Sequence, residues 1–464
     1  MKNISYYTLI LVVSLVGFSS CKKYLDKVAL NPNDPLKVSP NALLANIELA
    51  TFSNYNGNLN RRAAVFTQHL AGVDGQYVGV ANYKINEGDV TNEWKSLYSG
   101  ALINCKTLID TLGTKSPNFK GIAQVLYAMN LGLATDMWGD VPNSDALGLT
   151  INLTPHYDNQ QKIYADMQIL LSNAISNLKN TSGDLFSPGN YDYIFNGNSE
   201  NWIAIAYVLK ARYANHLSKK NASQSALDAI QYLDSAYAHG FNNSSVDANA
   251  KFGKSGNENN QWYAFEDQRG YVRMGNYFIN MMNTNSDPRL AFFATTDDSG
   301  TTYTGADVDP NNFLGTESFL GAFYGSPTSK APMVTYIEAK FIEAEAKLRA
   351  GNTTGAAMAL NDAVKASILD VTGGNDLAYE ALHASETGVS ITLKKIMEEK
   401  YVALFTQAET YNDWRRTGFP ALLANPNGVV NGIPRILPTS QDERNYNPNA
   451  IVVSNVLNKV WWDL

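Results

Sequence analysis

Apolar residues recur every three to four positions along most of the chain, and this spacing predicts a mainly α-helical protein. Ser39 followed by Pro40 is typical of a helix start, since serine caps the first amides and proline suits the first turn. Leu43, Leu44 and Ile47 continue that helix on one face. The same periodicity predicts further helices over 60–70, from about 90 to 108, and over 122–137, 163–178, 201–217, 223–237, 336–350, 354–369 and 392–407.

Two pairs of these segments form helical hairpins of about 34 residues, over 202–238 and 336–369. Their spacing of aromatic and small residues resembles that of tetratricopeptide repeats. The pairs are not in tandem, because their starts lie about 130 residues apart. A plain helix bundle is therefore the alternative. Small residues at helical spacing in 122–137, such as Ala128 and Gly132, would let neighbouring helices pack closely.

Three stretches lack helical periodicity. Residues 72–88 contain four glycines and are predicted to be a loop that exposes Tyr77 and Tyr83. Residues 241–332 are rich in Gly, Asn, Ser, Asp and aromatic residues. A structureless loop of that length would be unusual in a compact domain, so we interpret it as an irregular lobe packed on the helical scaffold. The tail over 420–464 is similarly irregular.

Composition is that of an ordinary globular protein, with 45% hydrophobic and 17% charged residues among 464. Without residues 1–20, which carry one lysine, the chain has 35 basic and 43 acidic residues, a net charge of −8. No basic stripe is present to neutralise phosphates, which argues against a nucleic-acid partner.

The first 20 residues are predicted to be a lipoprotein signal peptide. Lys2 precedes an apolar stretch of about a dozen residues, and two serines lead to Cys21. A cysteine at the cleavage point suits lipid attachment, although Phe18 stands where bacterial lipoproteins usually have leucine. A plain secretory signal is an alternative, and a membrane helix is disfavoured because the stretch falls short of about 20 residues. Residues 21–40 would be a tether and 41–464 the folded domain.

Catalytic and metal-binding motifs are not evident. The five histidines are scattered, and the phosphate-binding and nucleophile motifs of common enzymes do not occur. A remote carboxylate pair of the glycosidase type stays open. Asp307, Asp309 and Asn311 have the spacing of a calcium loop but lack its glycine and glutamate, so a capped turn is the favoured interpretation. Cys105 is predicted to be a buried core residue.

Several motifs in order resemble the SusD/RagB family of outer-membrane nutrient-binding lipoproteins of Bacteroidetes. They are the sequences starting at Cys21 (CKKYLD), Asp136 (DMWGDVPNSDAL), Ser286 (SDPRL), Asp413 (DWRRTGFP), Ile433 (IPRILP) and Asn445 (NYNP). Two positions depart from the family pattern. Asn143 stands where the family commonly has an aromatic residue, and Ile436 stands where a second arginine is usual.

The resemblance implies an all-α fold of tetratricopeptide-like hairpins, with an irregular, loop-rich lobe carrying the ligand surface. It also implies a binding protein without cofactor or catalytic activity, lipid-anchored on the outer face of the outer membrane. There it would capture oligosaccharides, or peptides in some branches, and deliver them to a TonB-dependent transporter of the SusC type. A surface glycoside hydrolase and a protein-interaction scaffold remain alternatives.

Aromatic and polar residues in the irregular stretches are the candidates for ligand contact, because sugar rings stack on aromatic faces while their hydroxyls meet polar tips. The predicted ligand-binding residues are Tyr77, Tyr83, Trp262, Tyr263, Arg269, Tyr271 and Tyr324. The tryptophans on helical faces are predicted to be core residues instead: Trp94, Trp138, Trp202 and Trp414. For the arginines after Trp414, pairing inside the scaffold is favoured over ligand contact.

Overall fold

A computed structural model describes residues 38–112, 115–148, 152–180 and 187–464. The predicted signal peptide, Cys21 and most of the tether lie outside the described residues. Among those described, no helix combines the length and the hydropathy that a membrane span requires.

Helices dominate the fold, as predicted. Within the described residues, the first six are α1 (Pro40–Asn56), α2 (Asn58–Phe66), α3 (Gly75–Ala81), α4 (Thr91–Lys95), α5 (Ile103–Leu112) and α6 (Pro117–Trp138), with a π-helical stretch, Ser96–Leu102, between α4 and α5. The next seven are α7 (Gln160–Lys179), α8 (Ser199–His216), α9 (Ala222–Ala238), α10 (Gln261–Gln268), α11 (Asn276–Thr284), α12 (Leu290–Phe293) and α13 (Ala322–Gly325). The last six are α14 (Tyr336–Arg349), α15 (Thr353–Thr372), α16 (Leu377–His383), α17 (Leu393–Ala403), α18 (Glu409–Thr417) and α19 (Gln441–Tyr446).

Asparagine side chains start many of these helices. Asn159, Asn198, Asn221 and Asn352 each accept a hydrogen bond from a backbone amide in the first turn of α7, α8, α9 and α15, respectively. Such caps satisfy amides that have no partner within the helix. Helix capping thus accounts for these four asparagines between the helical segments.

The scaffold is a continuous stack of neighbouring helices. Each of α5 to α8 packs on the next helix, and α9 then packs on α14, which pairs with α15. The two hairpins that are far apart in sequence are therefore adjacent in space, and the repeat is interrupted only along the chain. Gly132 of α6 permits this close packing, since a Cβ atom there would lie 2.2 Å from the Tyr213 hydroxyl of α8.

Short elements fill the irregular stretches. The part of the chain that the structure describes has three two-stranded antiparallel ribbons, in which β1 (Leu70–Gly72) pairs with β5 (Val272–Met274), β2 (Val141–Pro142) with β3 (Tyr157–Asp158), and β4 (Ala248–Ala250) with β6 (Ala331–Val334). Residues 241–332 share one hydrophobic core with the scaffold, to which Phe278 and Phe293 contribute. A smaller core lies among α14, α15 and α17.

Two local predictions were wrong. The 72–88 loop contains helix α3, because Asp74 caps its first amide and Tyr77, Val80 and Ala81 give it a buried face. The predicted helix over 60–70 ends at Phe66, after which Leu70 enters strand β1.

The interpretations of interior residues are confirmed. The four tryptophans assigned to the core are buried, as is Cys105. The two arginines after Trp414 are also buried, and both pair inside the scaffold. Arg416 forms salt bridges with Glu345 and Asp413, while Arg415 donates to Asn412 Oδ1 and to the Arg435 carbonyl.

Candidate ligand-binding cleft

An open cleft of about 530 Å³ lies where helix α11 faces the chain around Ala421. We call it the α11 cleft. It is lined by Gln68, Asn276, Tyr277, Asn280, Met281, Thr284, Asn285, Asp307, Val308, Glu398, Ala421 and Leu423. Its volume falls in the range of about 300–1,000 Å³ that is typical of small-ligand sites.

Ribbon β1–β5 positions this cleft. Strand β5 ends one residue before Gly275, and α11 starts directly after it. The Gly275 amide donates to the His69 carbonyl at 2.9 Å, and a Cβ atom on Gly275 would lie 2.2 Å from the Gln68 carbonyl oxygen. Only glycine allows the two segments to approach this closely. As a result, the start of α11 is held beside Gln68, whose side chain donates to the Leu423 carbonyl at 2.5 Å.

Amides and carboxylates dominate the polar lining. Asn276 and Asn280 lie one helical turn apart on α11, and the Asn280 amide donates to Asn276 Oδ1 at 2.8 Å. Asp307 and Glu398 add carboxylates. Burial raises the pKa of Glu398, and Lys394, 3.7 Å away, acts against that effect. Such groups donate to and accept from hydroxyls, which suits a polyhydroxylated ligand better than an apolar one.

Tyr277 supplies the aromatic face. Its half-buried ring lies edge-on to Tyr401 with the centroids 6.2 Å apart, and burial raises the pKa of its hydroxyl. Tyr401 in turn stacks on His69 at 4.0 Å. Burial lowers the pKa of His69 to about 3, so this imidazole stays neutral and acts as a rigid packing residue. The aromatic wall of the cleft is therefore fixed by the core behind it.

A second surface adjoins the cleft through strand β5, and we call it the aromatic rim: Phe265, Tyr271, Arg273, Phe313 and Phe319. The Arg273 guanidinium lies 3.6 Å from the centroid of the Phe319 ring, a cation–π contact. The Tyr271 ring packs against Gly75, where φ is +50° and a Cβ atom would lie 2.5 Å from it. Tyr271 also lies 6.1 Å from the Phe265 ring.

The structure corrects four of the predicted ligand contacts. Tyr77, Tyr83, Trp262 and Tyr324 are buried, with at most 5% of each side chain exposed. Their rings fill the core, and the Arg61 guanidinium lies 5.8 Å from the centroid of the Trp262 ring. The Tyr77 hydroxyl bonds to Asn58 and Arg61, the Tyr83 hydroxyl accepts from the Asn425 amide, and Tyr324 stacks on Phe293. These aromatics cannot stack on a ligand, because the protein already covers their faces.

The other three predicted residues are accessible. Tyr263 and Tyr271 are half-buried and Arg269 is exposed. All three lie on α10 or on the turn that joins it to β5, and Tyr271 belongs to the aromatic rim. None of the three lines the α11 cleft.

Sequence reasoning missed the residues of the α11 cleft. Asn276, Asn280 and Thr284 recur every four positions, which is the polar face of a short helix, and this periodicity could have been noticed. Gln68, Asp307, Glu398 and Leu423 come from distant parts of the chain. No local pattern in the sequence indicates that these residues lie together.

The calcium-like sequence is a capped turn, as favoured above. Asp309 accepts from the Asn311 amide at 3.0 Å, and its other carboxylate oxygen accepts from Asn427 at 2.6 Å. In the described ranges, no group of three or more His, Cys, Asp or Glu side chains has a metal-binding arrangement.

The chain is similar in sequence to a known protein family. A SusD-like family model, described as starch-binding associating with outer membrane, matches residues 32–437. No curated protein sequence matches the chain.

Solved structures share the fold at low sequence identity. One is a SusD/RagB family protein from Bacteroides thetaiotaomicron, with 24% identity, a TM-score of 0.76, and coverage of 92% of this chain and 99% of that one. Another is a chitin-binding SusD homologue from Flavobacterium johnsoniae, with 20% identity, a TM-score of 0.78, and coverage of 92% and 98%. A SusD homologue from Bacteroides vulgatus has 20% identity, a TM-score of 0.78, and coverage of 91% and 97%.

Proposed function

The chain belongs to the SusD-like family, and we propose that it captures oligosaccharides at the cell surface in the α11 cleft. The observation that carries this proposal is the lining of that cleft. The lining brings together one half-exposed tyrosine, four amide side chains and two carboxylates, and the cleft has a volume of about 530 Å³. Sugars need this combination, because their C–H faces stack on aromatic rings while their hydroxyls seek polar partners.

A lipid anchor at Cys21 and delivery to a partner TonB-dependent transporter complete the proposal. The family description places its members at the outer membrane, which supports an anchored position. A transporter gene adjacent to this one would favour delivery. Purification of the full-length lipoprotein in mild detergent should then retain that transporter. Stable retention of a different protein, together with no glycan binding, would instead favour the interaction scaffold.

Affinity electrophoresis tests the capture role. The protein is run through gels that contain starch, soluble chitin derivatives or other polysaccharides, and a peptide library is screened in parallel. Chitin derivatives come first because two structural relatives are described as chitin-binding. We expect retardation in at least one gel, its loss in Tyr277→Ala, and its retention in Tyr446→Ala, which removes an exposed tyrosine outside the cleft. Binding to peptides alone would reassign the ligand class.

Hydrolysis is the second candidate, since Asp307 and Glu398 both line the cleft and glycosidases act through carboxylate pairs. Incubation with the retained polysaccharide decides between the two. The capture proposal predicts no release of reducing ends. Release that disappears in Glu398→Gln would establish the hydrolase instead.

A further inference from the structure

A second polar pocket opens at the break between helices α1 and α2, and we call it the Glu93 pocket. Its volume is about 200 Å³. It is lined by Ser53, Asn54, Gly57, Asn58, Leu59, Arg61, Asn92, Glu93, Ser96 and Gln261. None of these residues lines the α11 cleft.

Hydrogen bonds fix the lining of the Glu93 pocket. The Tyr77 hydroxyl donates to Asn58 Oδ1 at 2.5 Å, and the Asn58 amide donates to Glu93 Oε1. Arg61 Nε donates to the same tyrosine hydroxyl at 3.2 Å. Gln261 is held as well, since its amide donates to the Ser53 hydroxyl at 3.0 Å. The side chains are therefore arranged before any ligand arrives, which lowers the entropic cost of binding.

Arg61 has further contacts besides its hydrogen bond to the Tyr77 hydroxyl. Its guanidinium lies 4.4 Å from the centroid of the Phe265 ring, on the aromatic rim. It also donates to the Gln261 carbonyl at 3.4 Å. These contacts hold Arg61 between the Glu93 pocket and the rim.

Glu93 retains one unused acceptor. Its Oε2 atom is buried and has no hydrogen-bond partner in the part of the chain that the structure describes. A buried carboxylate oxygen without a partner is costly. Because Glu93 lines the pocket, a ligand hydroxyl that donates to its carboxylate would form a charge-assisted bond. The neighbouring π-helical stretch, Ser96–Leu102, supplies Ser96 to the same lining, and such stretches are frequent at functional sites.

We propose that the Glu93 pocket binds one ring of a neutral, hydroxyl-rich ligand and is a second sugar subsite of this protein. Arg61 and Glu93 carry opposite charges on its walls, so a charged ligand would meet one like charge whatever its sign. The amides and hydroxyls around them complete the recognition of a neutral ring. The pocket is smaller than the sites of drug-sized ligands, which limits it to a single ring. The inference rests on the proposed glycan-binding function for its ligand class.

Tyr77 becomes a positioning residue in this proposal. Its ring is buried and cannot touch a sugar, but its hydroxyl holds Asn58 and Arg61 in place. Removal of the hydroxyl alone should weaken the pocket without emptying the core.

Titration by saturation-transfer NMR tests the proposal, with N-acetylglucosamine and glucose as probes. The starting protein is Tyr277→Ala, in which the α11 cleft is disabled. We expect saturable binding of at least one probe to remain. Addition of Glu93→Gln should weaken that binding by about tenfold, since it removes a charge-assisted acceptor. Tyr77→Phe should weaken it as well, and Asn92→Trp should abolish it by placing a ring in the pocket from an exposed position.

A matched control is Glu87→Gln, which removes a carboxylate on the preceding turn that does not line the pocket. It should leave the affinity unchanged, and thermal melts confirm that each variant is folded. Unchanged affinity in both Glu93→Gln and Asn92→Trp would overturn the second subsite. So would loss of all binding in Tyr277→Ala while the wild type binds, and that result would leave the proposed function standing. Absence of saccharide binding by the wild type would contradict both.

Discussion

The hydroxyl of Tyr77 lies 2.5 Å from Oδ1 of Asn58, inside the protein and out of reach of any ligand stacking on its ring. Tyr77, which lies in a glycine-rich stretch, therefore contributes hydrogen bonds through its hydroxyl and does not offer its ring to a ligand. It joins helix α3 to helix α2 and sets the orientation of the Asn58 amide, which in turn donates to Glu93.

Tyr77→Phe should destabilise the fold by about 1–3 kcal/mol, because Asn58 and Arg61 each lose a buried hydrogen-bond partner while the ring remains. Urea denaturation measures the difference. Tyr446→Phe, at an exposed tyrosine, serves as the control and should change the free energy of unfolding by less than about 0.5 kcal/mol. Equal stability of the two variants would show that the Tyr77 hydroxyl does not support the fold.

Glu345→Gln should be strongly destabilising at neutral pH, by about 3–5 kcal/mol, because it leaves Arg416 in the interior without its main partner. Arg416 and Arg349 outweigh the effect of burial and lower the pKa of Glu345 to about 2, against 4.5 for a free side chain. Its ionised form therefore stabilises the fold above pH 4.5, and that contribution is lost as the pH falls toward 2.

Urea denaturation at pH 7 and at pH 3 checks this behaviour. The difference between the wild type and Glu345→Gln should be smaller at pH 3. Glu200→Gln is the control, since it alters a carboxylate that is 66% exposed in a surface pair with His239. A difference that is the same at both pH values would contradict the assigned role of Glu345.

Glu48→Gln should stabilise the protein, with a pH dependence of the opposite sign. Burial, with Asp192 nearby, raises the pKa of Glu48 to about 10. The folded state thus favours the protonated form, and the stability it contributes below pH 4.5 is lost as the pH rises. Glutamine can still accept from the Tyr193 amide and has no charge to bury.

The gain in unfolding free energy should be near zero at pH 4 and on the order of 3 kcal/mol at pH 8. Urea denaturation at the two pH values measures it. Glu48→Ala, which removes the acceptor for the Tyr193 amide, should destabilise at both. A Glu48→Gln effect that does not grow with pH would refute the buried, protonated state.

Cys21→Ser should release the protein from the membrane fraction, because lipid attachment requires the thiol. Membrane fractionation with metabolic labelling by a fatty-acid analogue detects both changes. Cys105→Ser is the matched control, as Cys105 is buried in the core. Label that persists on Cys21→Ser would rule out this anchor.

The long helices follow from the sequence because their signal is local. The spacing of apolar residues in 122–137 and 336–350 predicts α6 and α14 to within a few residues, and the Ser39-Pro40 start of α1 is confirmed by the hydrogen bond from the Ala42 amide to Ser39 Oγ. The short helices and strands were not predicted from the sequence. Helix α3 has only seven residues, too few for periodicity to outweigh its glycines.

The candidate cleft could not be predicted, since it depends on pairing between distant strands. Leu70 lies opposite Met274, and that register alone brings Gln68 beside α11. Composition pointed to tyrosine, tryptophan and asparagine in the loops as candidates for ligand contact, yet it could not tell which rings face solvent. Trp262 fills the core, whereas Tyr277 stays half-exposed.

A crystal structure of the protein with the oligosaccharide that it retains best in affinity gels tests the central claim most directly. We predict a sugar ring stacked on Tyr277, with its hydroxyls hydrogen-bonded to Asn276 and Asn280 of α11. A saccharide bound only at the aromatic rim or elsewhere on the surface, with the α11 cleft unoccupied, would contradict the account.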